Sequence, residues 1–110
     1  MTVAPSCPVL LVHDDDAFRR ALIKALDERY FSVTYTDDES DAASALREKS
    51  FPVVILGAEH AGILDQADEL GAAVILVGDV DAERRKRADE TLLKPVDAAY
   101  VAERARTYCR

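Results

Sequence analysis

The chain has 110 residues, of which 49% are apolar and 32% charged, a balance that fits one globular domain and is too apolar for a disordered segment. Twenty-one acidic against fourteen basic side chains leave a net charge of −7, so the surface as a whole repels nucleic acid and anionic membranes. No apolar stretch approaches the roughly 18 residues of a membrane span, and the N-terminus MTVAPSCP has neither a basic nor an apolar signal region, so a cytoplasmic protein is expected. Cys7 and Cys109 stand near opposite ends without metal-type spacing and read as free thiols of a reducing compartment.

Residues 1–8 read as a tail, and the domain as 9–110. Val9–Val12 is an aliphatic block, hence a buried strand, that runs into His13, Asp14, Asp15 and Asp16. The period then becomes helical through Phe18, Leu22, Ala25, Leu26 and Arg29, with Asp15 or Asp16 as cap and an end near Tyr30. Phe31–Thr36 alternates β-branched and aromatic residues with polar ones and predicts a half-buried edge strand. Asp37 or Asp38 can cap a second helix, buried through Ala42, Ala45 and Leu46 and ending near Lys49.

Phe51–Glu59, FPVVILGAE, is a continuous apolar run ending at Gly57 and predicts a buried strand, with Pro52 at its tolerant first position. A short amphipathic helix within 59–71 follows, stopped by Gly71. Ala72–Val77 is another buried strand, ending at Gly78. Residues 80–89 form a short charged helix or turn whose basic run Arg84, Arg85, Lys86, Arg87 sits between acids and reads as a solvated face. Thr91–Leu93 is a brief strand before Lys94 and Pro95, and Asp97 caps a last helix with Ala98, Val101, Ala105 and Tyr108 inward. Five apolar strands alternating with helices demand a parallel sheet covered on both faces, a doubly wound α/β fold. Open sheets of this kind place their sites at the carboxyl ends of the strands.

VLLVHDDDAFRRAL at the first strand, FPVVILG at the third and ADETLLKPVD at the fifth resemble, in order and spacing, the receiver domain of bacterial two-component response regulators, over residues 9–110. The resemblance implies a flavodoxin-like, CheY-like fold with strand order 2-1-3-4-5. It also implies a phosphorelay site in which paired acids hold Mg²⁺, an aspartate on the third strand accepts phosphoryl from a histidine kinase, a hydroxyl after the fourth strand reports it, and a lysine neutralises it. Aligned on that pattern, Asp14 keeps the second acidic position, His13 replaces the first, and Asp15 falls where no ligand is usual. Gly57 stands at the acceptor position, Gly78 at the hydroxyl position and Thr91 at the usual aromatic, while Lys94 and Pro95 match.

Only twenty residues separate Gly57 from Gly78 and fifteen separate Gly78 from Lys94, so the third and fourth helices must be short and the face around the fourth helix and fifth strand remodelled. Joint loss of acceptor, hydroxyl and aromatic describes a degenerate pseudo-receiver that is not an enzyme. Its expected role is phosphorylation-independent, through protein–protein contact with a histidine kinase or an output domain. No cofactor is expected; Asp14 is a weak Mg²⁺ candidate for want of a carboxylate at position 57, and a direct ion pair between Lys94 and Asp14 is the expected use of both. His13 reads as a strand-end histidine without a role of its own. Glu59, His60 and Asp65 near the third helix lack the strand-tip geometry of an acceptor. The alternatives are phosphotransfer on Asp14 or Asp65, or a small-ligand site at the strand tips, the latter opposed by DDDAF where a phosphate loop needs glycines.

Overall fold

The computed structural model describes residues 6–109. Five parallel strands, β1 (Cys7–Val12), β2 (Phe31–Thr36), β3 (Val53–Gly57), β4 (Ala73–Val77) and β5 (Glu90–Leu92), form one sheet in the order β2-β1-β3-β4-β5. Helices α1 (Asp16–Ala25), α2 (Glu39–Glu48), α3 (Leu64–Glu69), α4 (Ala82–Arg87) and α5 (Ala98–Tyr108) connect or follow them, with a 3₁₀ segment, Ala58–Ile63, between β3 and α3. This is the expected doubly wound architecture, and α3 and α4, at six residues each, are the short helices that the spacing required.

Strand alternation assigns the core. Leu10, Val12, Val54, Leu56, Val74 and Leu76 face Ala42 and Leu46 of α2 and Leu64 and Ala67 of α3. The residues between them, Val9, Leu11, Val53, Ile55, Ile75 and Val77, face Leu22 of α1 and Val101, Ala102 and Ala105 of α5. Because both faces are covered, β3 and most of β4 are buried at every position, which is why they read as unbroken apolar runs. β2 lies at the sheet edge, as expected, with Phe31 buried and Val33 half-buried, but the expected alternation breaks at its second half, where Tyr35 is exposed and Thr34 and Thr36 are half-buried.

Several boundaries move. β1 begins at Cys7, so the strand takes up two residues assigned to the tail; Met1–Pro5 lie outside the described residues. Pro8 is tolerated because the Cys7 N–H turns towards the β2 side, bonding the Tyr30 carbonyl, and pairing with β3 starts only at Val9. α1 stops at Ala25, not near Tyr30, because Leu26 turns extended and Asp27 closes a turn. The Asp27 carboxylate accepts from the Arg29 backbone N–H at 2.9 Å, and the Asp27 carbonyl accepts from Tyr30 and Phe31. Arg29 therefore belongs to a turn and not to the helix. β5 lies one residue earlier than expected, at Glu90–Leu92.

The cysteine reading is corrected outright: Cys7 and Cys109 form a disulfide, with Cα atoms 5.8 Å apart. A sequence separation of 102 conceals that contact. In a parallel β/α fold each helix runs back against its strands, so the C-terminal end of α5 returns to the end of the sheet where β1 begins. With both thiols paired, the cysteines do not mark a reducing compartment. Among the described residues no helix is long and apolar enough to cross a membrane.

Candidate functional site

The parallel register brings Val12, Gly57, Val77 and Leu92 to one edge of the sheet. The loops that leave these residues build the candidate site. The loop after β1 is set by helix capping: Asp15 adopts extended backbone and its carboxylate accepts from the Phe18 N–H at 3.1 Å. That amide bond is the main reason its carboxyl is held below the ordinary range. Arg19, one turn into α1, donates to the His13 carbonyl at 2.8 Å and to Asp16, and stacks 5.7 Å from the Tyr35 ring. The β1 tip is thus tied to both α1 and β2.

His13 is fully buried. Its Nδ1 accepts the Asp15 N–H at 3.0 Å, which leaves the proton on Nε2, an atom without a partner among the described residues. The ring packs against Phe18 with centroids 4.8 Å apart. Burial and the nearby Lys94 ammonium outweigh the surrounding carboxylates and push the imidazole below its usual pKa, so it stays neutral near pH 7. The histidine read as having no role is a packing element of the strand tip.

Gly57 has φ −68° and ψ 148°, a conformation open to any L-residue, so its glycine is not a backbone requirement. The requirement is space. An ideal Cβ at position 57 stands 2.5 Å from Glu59 Oε1, and 2.9 Å from both Glu59 Cδ and His13 Cδ2. Glu59, in the 3₁₀ segment, folds back so that its carboxylate fills the volume in front of Gly57. There Oε1 accepts the Asp14 N–H at 3.1 Å and lies 3.8 Å from His13 Nδ1. Burial pushes the Glu59 carboxyl up, but backbone hydrogen bonds, with His13 and Lys94 adding to them, prevail and hold it below its usual value.

Gly78 has φ +122°, a backbone that L side chains rarely adopt, and a Cβ there meets the Ala58 Cβ at 2.8 Å. A hydroxyl-bearing residue does not fit at this tip without moving the start of the 3₁₀ segment. Thr91 is half-buried within β5, and the Lys94–Pro95 peptide is cis.

The expected ion pair between Lys94 and Asp14 is not formed. The Lys94 ammonium lies 5.9 Å from the centre of the Phe18 ring, a cation–π contact. Asp14 turns instead to His60, whose Nε2 is 2.6 Å from Asp14 Oδ1. His60 is buried, and its Nδ1 has no partner among the described residues. The shortened segment after β3 accounts for this choice, because it carries two polar side chains, Glu59 and His60, directly over the β1 loop.

Glu59, passed over as a displaced acceptor because a helix residue lacks the strand-tip geometry, brings its carboxylate to the strand tip from the 3₁₀ segment, and the cause is simple. A glutamate two residues beyond a glycine spans the gap that the missing side chain leaves. Its signal in the sequence is an acid at that offset. Asp65 is not brought to the site; it pairs with Arg87 of α4. Arg84 and Arg85 pair with Asp81 and Asp79, so the basic run is largely neutralised locally, as expected of a solvated face.

No family model matches the chain, and no curated protein matches it. Solved structures do. A response regulator from Thermotoga maritima aligns with a TM-score of 0.77 at 21% identity, over 94% of this chain and 98% of that one. A CheY-like response regulator receiver domain from Methylobacillus flagellatus gives 0.80 at 19% identity, over 94% and 99%. An orphan response regulator of H. pylori gives 0.80 at 16% identity, over 96% and 100%. The chain has the CheY-like receiver fold.

Proposed function

From a receiver-type fold whose acceptor position is a glycine, we propose that this chain is a phosphorylation-independent signalling module. It works by protein–protein contact with a histidine kinase or an output domain and is not an enzyme. The observation that carries the reading is the blocked space at Gly57, filled by the Glu59 carboxylate and the edge of the His13 ring. Phosphoryl transfer needs a nucleophile in line with the donor and cations placed on the transferred oxygens. Position 57 offers no nucleophile, and the Glu59 carboxylate already fills the space in front of it.

The reporting parts are altered in the same direction. Gly78 has no hydroxyl to engage a new phosphate, and Thr91 supplies no aromatic ring to change position with it. Asp14 is engaged by His60, and Asp65 by Arg87, which argues against either as a substitute acceptor. A small-ligand reading lacks support from the loop after β1, where Asp15 caps the helix and leaves no glycine-lined phosphate cradle. A cytoplasmic site of action goes with a kinase or output-domain partner and draws nothing from the cysteines.

The test is phosphodonor chemistry on the intact chain. Incubation with acetyl phosphate and Mg²⁺, followed by intact-mass measurement, is expected to leave the mass unchanged, and beryllofluoride with Mg²⁺ to leave the amide NMR spectrum unchanged. A stoichiometric, hydroxylamine-labile phosphoryl adduct on any carboxylate overturns the proposal.

A further inference from the structure

The resemblance implies a hard Mg²⁺ site made of carboxylates, and the residues at the strand tips do not fit it. The first acid is His13, which faces the Asp15 amide, and the third is Gly57. A different donor set has formed in that corner. Asp14, Glu59 and His60 each present one ligand atom, and these atoms lie within 4.8 Å of one another. We propose that they bind a divalent transition ion of the zinc class, in preference to Mg²⁺.

Three observations support this assignment. The first is donor chemistry: Mg²⁺ demands six oxygens in near-ideal octahedral geometry and keeps its waters, whereas imidazole nitrogen with two carboxylates suits Zn²⁺ and its neighbours. The second is preorganisation. His60 is the most enclosed of the three, its side chain 9% exposed, while the Asp14 side chain is 58% exposed and open to an entering ion. Glu59 is also held in advance, since its Oε1 accepts the Asp14 N–H at 3.1 Å. The third is the inventory of soft and borderline donors. Among the described residues there are two histidines and two cysteines; His13 faces the Asp15 amide and both cysteines are consumed by the disulfide, so His60 is the donor of this type whose ring nitrogen meets carboxylates that border solvent.

Without metal, the 2.6 Å contact between His60 Nε2 and Asp14 Oδ1 is a hydrogen bond whose proton lies where the ion would stand. Binding moves the imidazole proton from Nε2 to Nδ1 and frees the Nε2 lone pair for the ion. Nδ1 is unpartnered in either tautomer, so the rest of the ring's environment neither gains nor loses a bond. Ligand atoms now 2.6 to 4.8 Å apart need only small side-chain rotations to stand at the roughly 2.0–2.2 Å that zinc requires. Water completes the coordination, because Asp14 and Glu59 border solvent. The bound ion would fasten the 3₁₀ segment to the β1 loop and thereby fix the strand-tip surface that a protein partner meets.

The experiment is calorimetric titration of the oxidised, full-length chain with ZnCl₂ and, separately, MgCl₂. One equivalent of zinc is expected, bound at least tenfold more tightly than magnesium, with loss of about tenfold or more in His60→Asn and in Glu59→Gln. Should a variant fail to fold, long-range ¹⁵N NMR of the two histidines in the unaltered chain decides the matter: zinc must shift the His60 Nε2 resonance and leave Nδ1 protonated. Absence of zinc binding, equal affinity for magnesium, zinc binding unchanged by His60→Asn, or an unmoved His60 resonance each overturns the proposal. None of these outcomes bears on the phosphodonor assay, so the two proposals fail separately.

Discussion

Gly57→Ala isolates the claim that space, not backbone freedom, selects glycine at position 57. At φ −68° and ψ 148° alanine is conformationally welcome, and on backbone entropy alone the change stabilises by about 0.4–1 kcal/mol. Against this, the new methyl stands 2.5 Å from Glu59 Oε1 and 2.9 Å from His13 Cδ2. Glu59 can swing towards solvent, giving up its bond to the Asp14 N–H at a cost of about 1 kcal/mol. His13 cannot follow, being fully buried, stacked on Phe18 and tied to the Asp15 amide, so the methyl overpacks a fixed neighbour at about 1–3 kcal/mol. The net expectation is destabilisation by about 1–3.5 kcal/mol, a fall in melting midpoint of roughly 4–14 °C for a domain of this size. Urea unfolding of Gly57→Ala, Glu59→Ala and the double variant completes the test. The glycine substitution should cost about 1 kcal/mol less in the Glu59→Ala background. A neutral or stabilising Gly57→Ala refutes the crowding argument, and an unchanged cost without Glu59 refutes the assignment of that carboxylate to the vacant volume.

Gly57→Asp is expected not to restore phosphorylation by acetyl phosphate, because the new carboxylate meets Glu59 and His13 while Gly78 and Thr91 remain; intact-mass measurement checks it, and efficient labelling would show a more complete site. Replacing both Cys7 and Cys109 by serine should lower stability by about 2–4 kcal/mol in urea, since the bond closes a loop of about a hundred residues; an unchanged midpoint would show that the bridge does not form in solution. Lys94→Ala should cost under about 1 kcal/mol, and its effect should add to that of Asp14→Ala without coupling, as befits a cation over the Phe18 ring and not a partner of Asp14; a coupling well above zero would restore the ion pair. The side-chain and then the backbone hydrogen bonds of Arg29 hold the Asp27 carboxyl at about 2. This folded value lies below the unfolded one, so the turn's contribution is complete above about pH 4 and is lost as pH falls through about 2. Carboxyl NMR titration should show this, with Arg29→Ala returning Asp27 to the ordinary range.

The polarity pattern of the chain determined its architecture without help from tertiary contacts. Runs such as VVIL at 53–56 and AVILV at 73–77 can be satisfied only where both faces are covered, and the capping acids Asp15, Asp38, Asp81 and Asp97 mark helix starts through bonds made within a few residues. The same local logic located the strand tips, and with them Gly57, Gly78 and Lys94. What the tertiary structure alone decided concerns pairs that are distant in the chain and close in space. Asp14 selects His60, 46 residues away, over Lys94; Glu59 folds back over Gly57; and Cys7 meets Cys109 across 102 residues. Each depends on the angle at which a short loop leaves the sheet or on the returning direction of a helix. Side-chain partners of that kind are set by competition among several donors within reach, and sequence spacing carries no measure of who stands nearest.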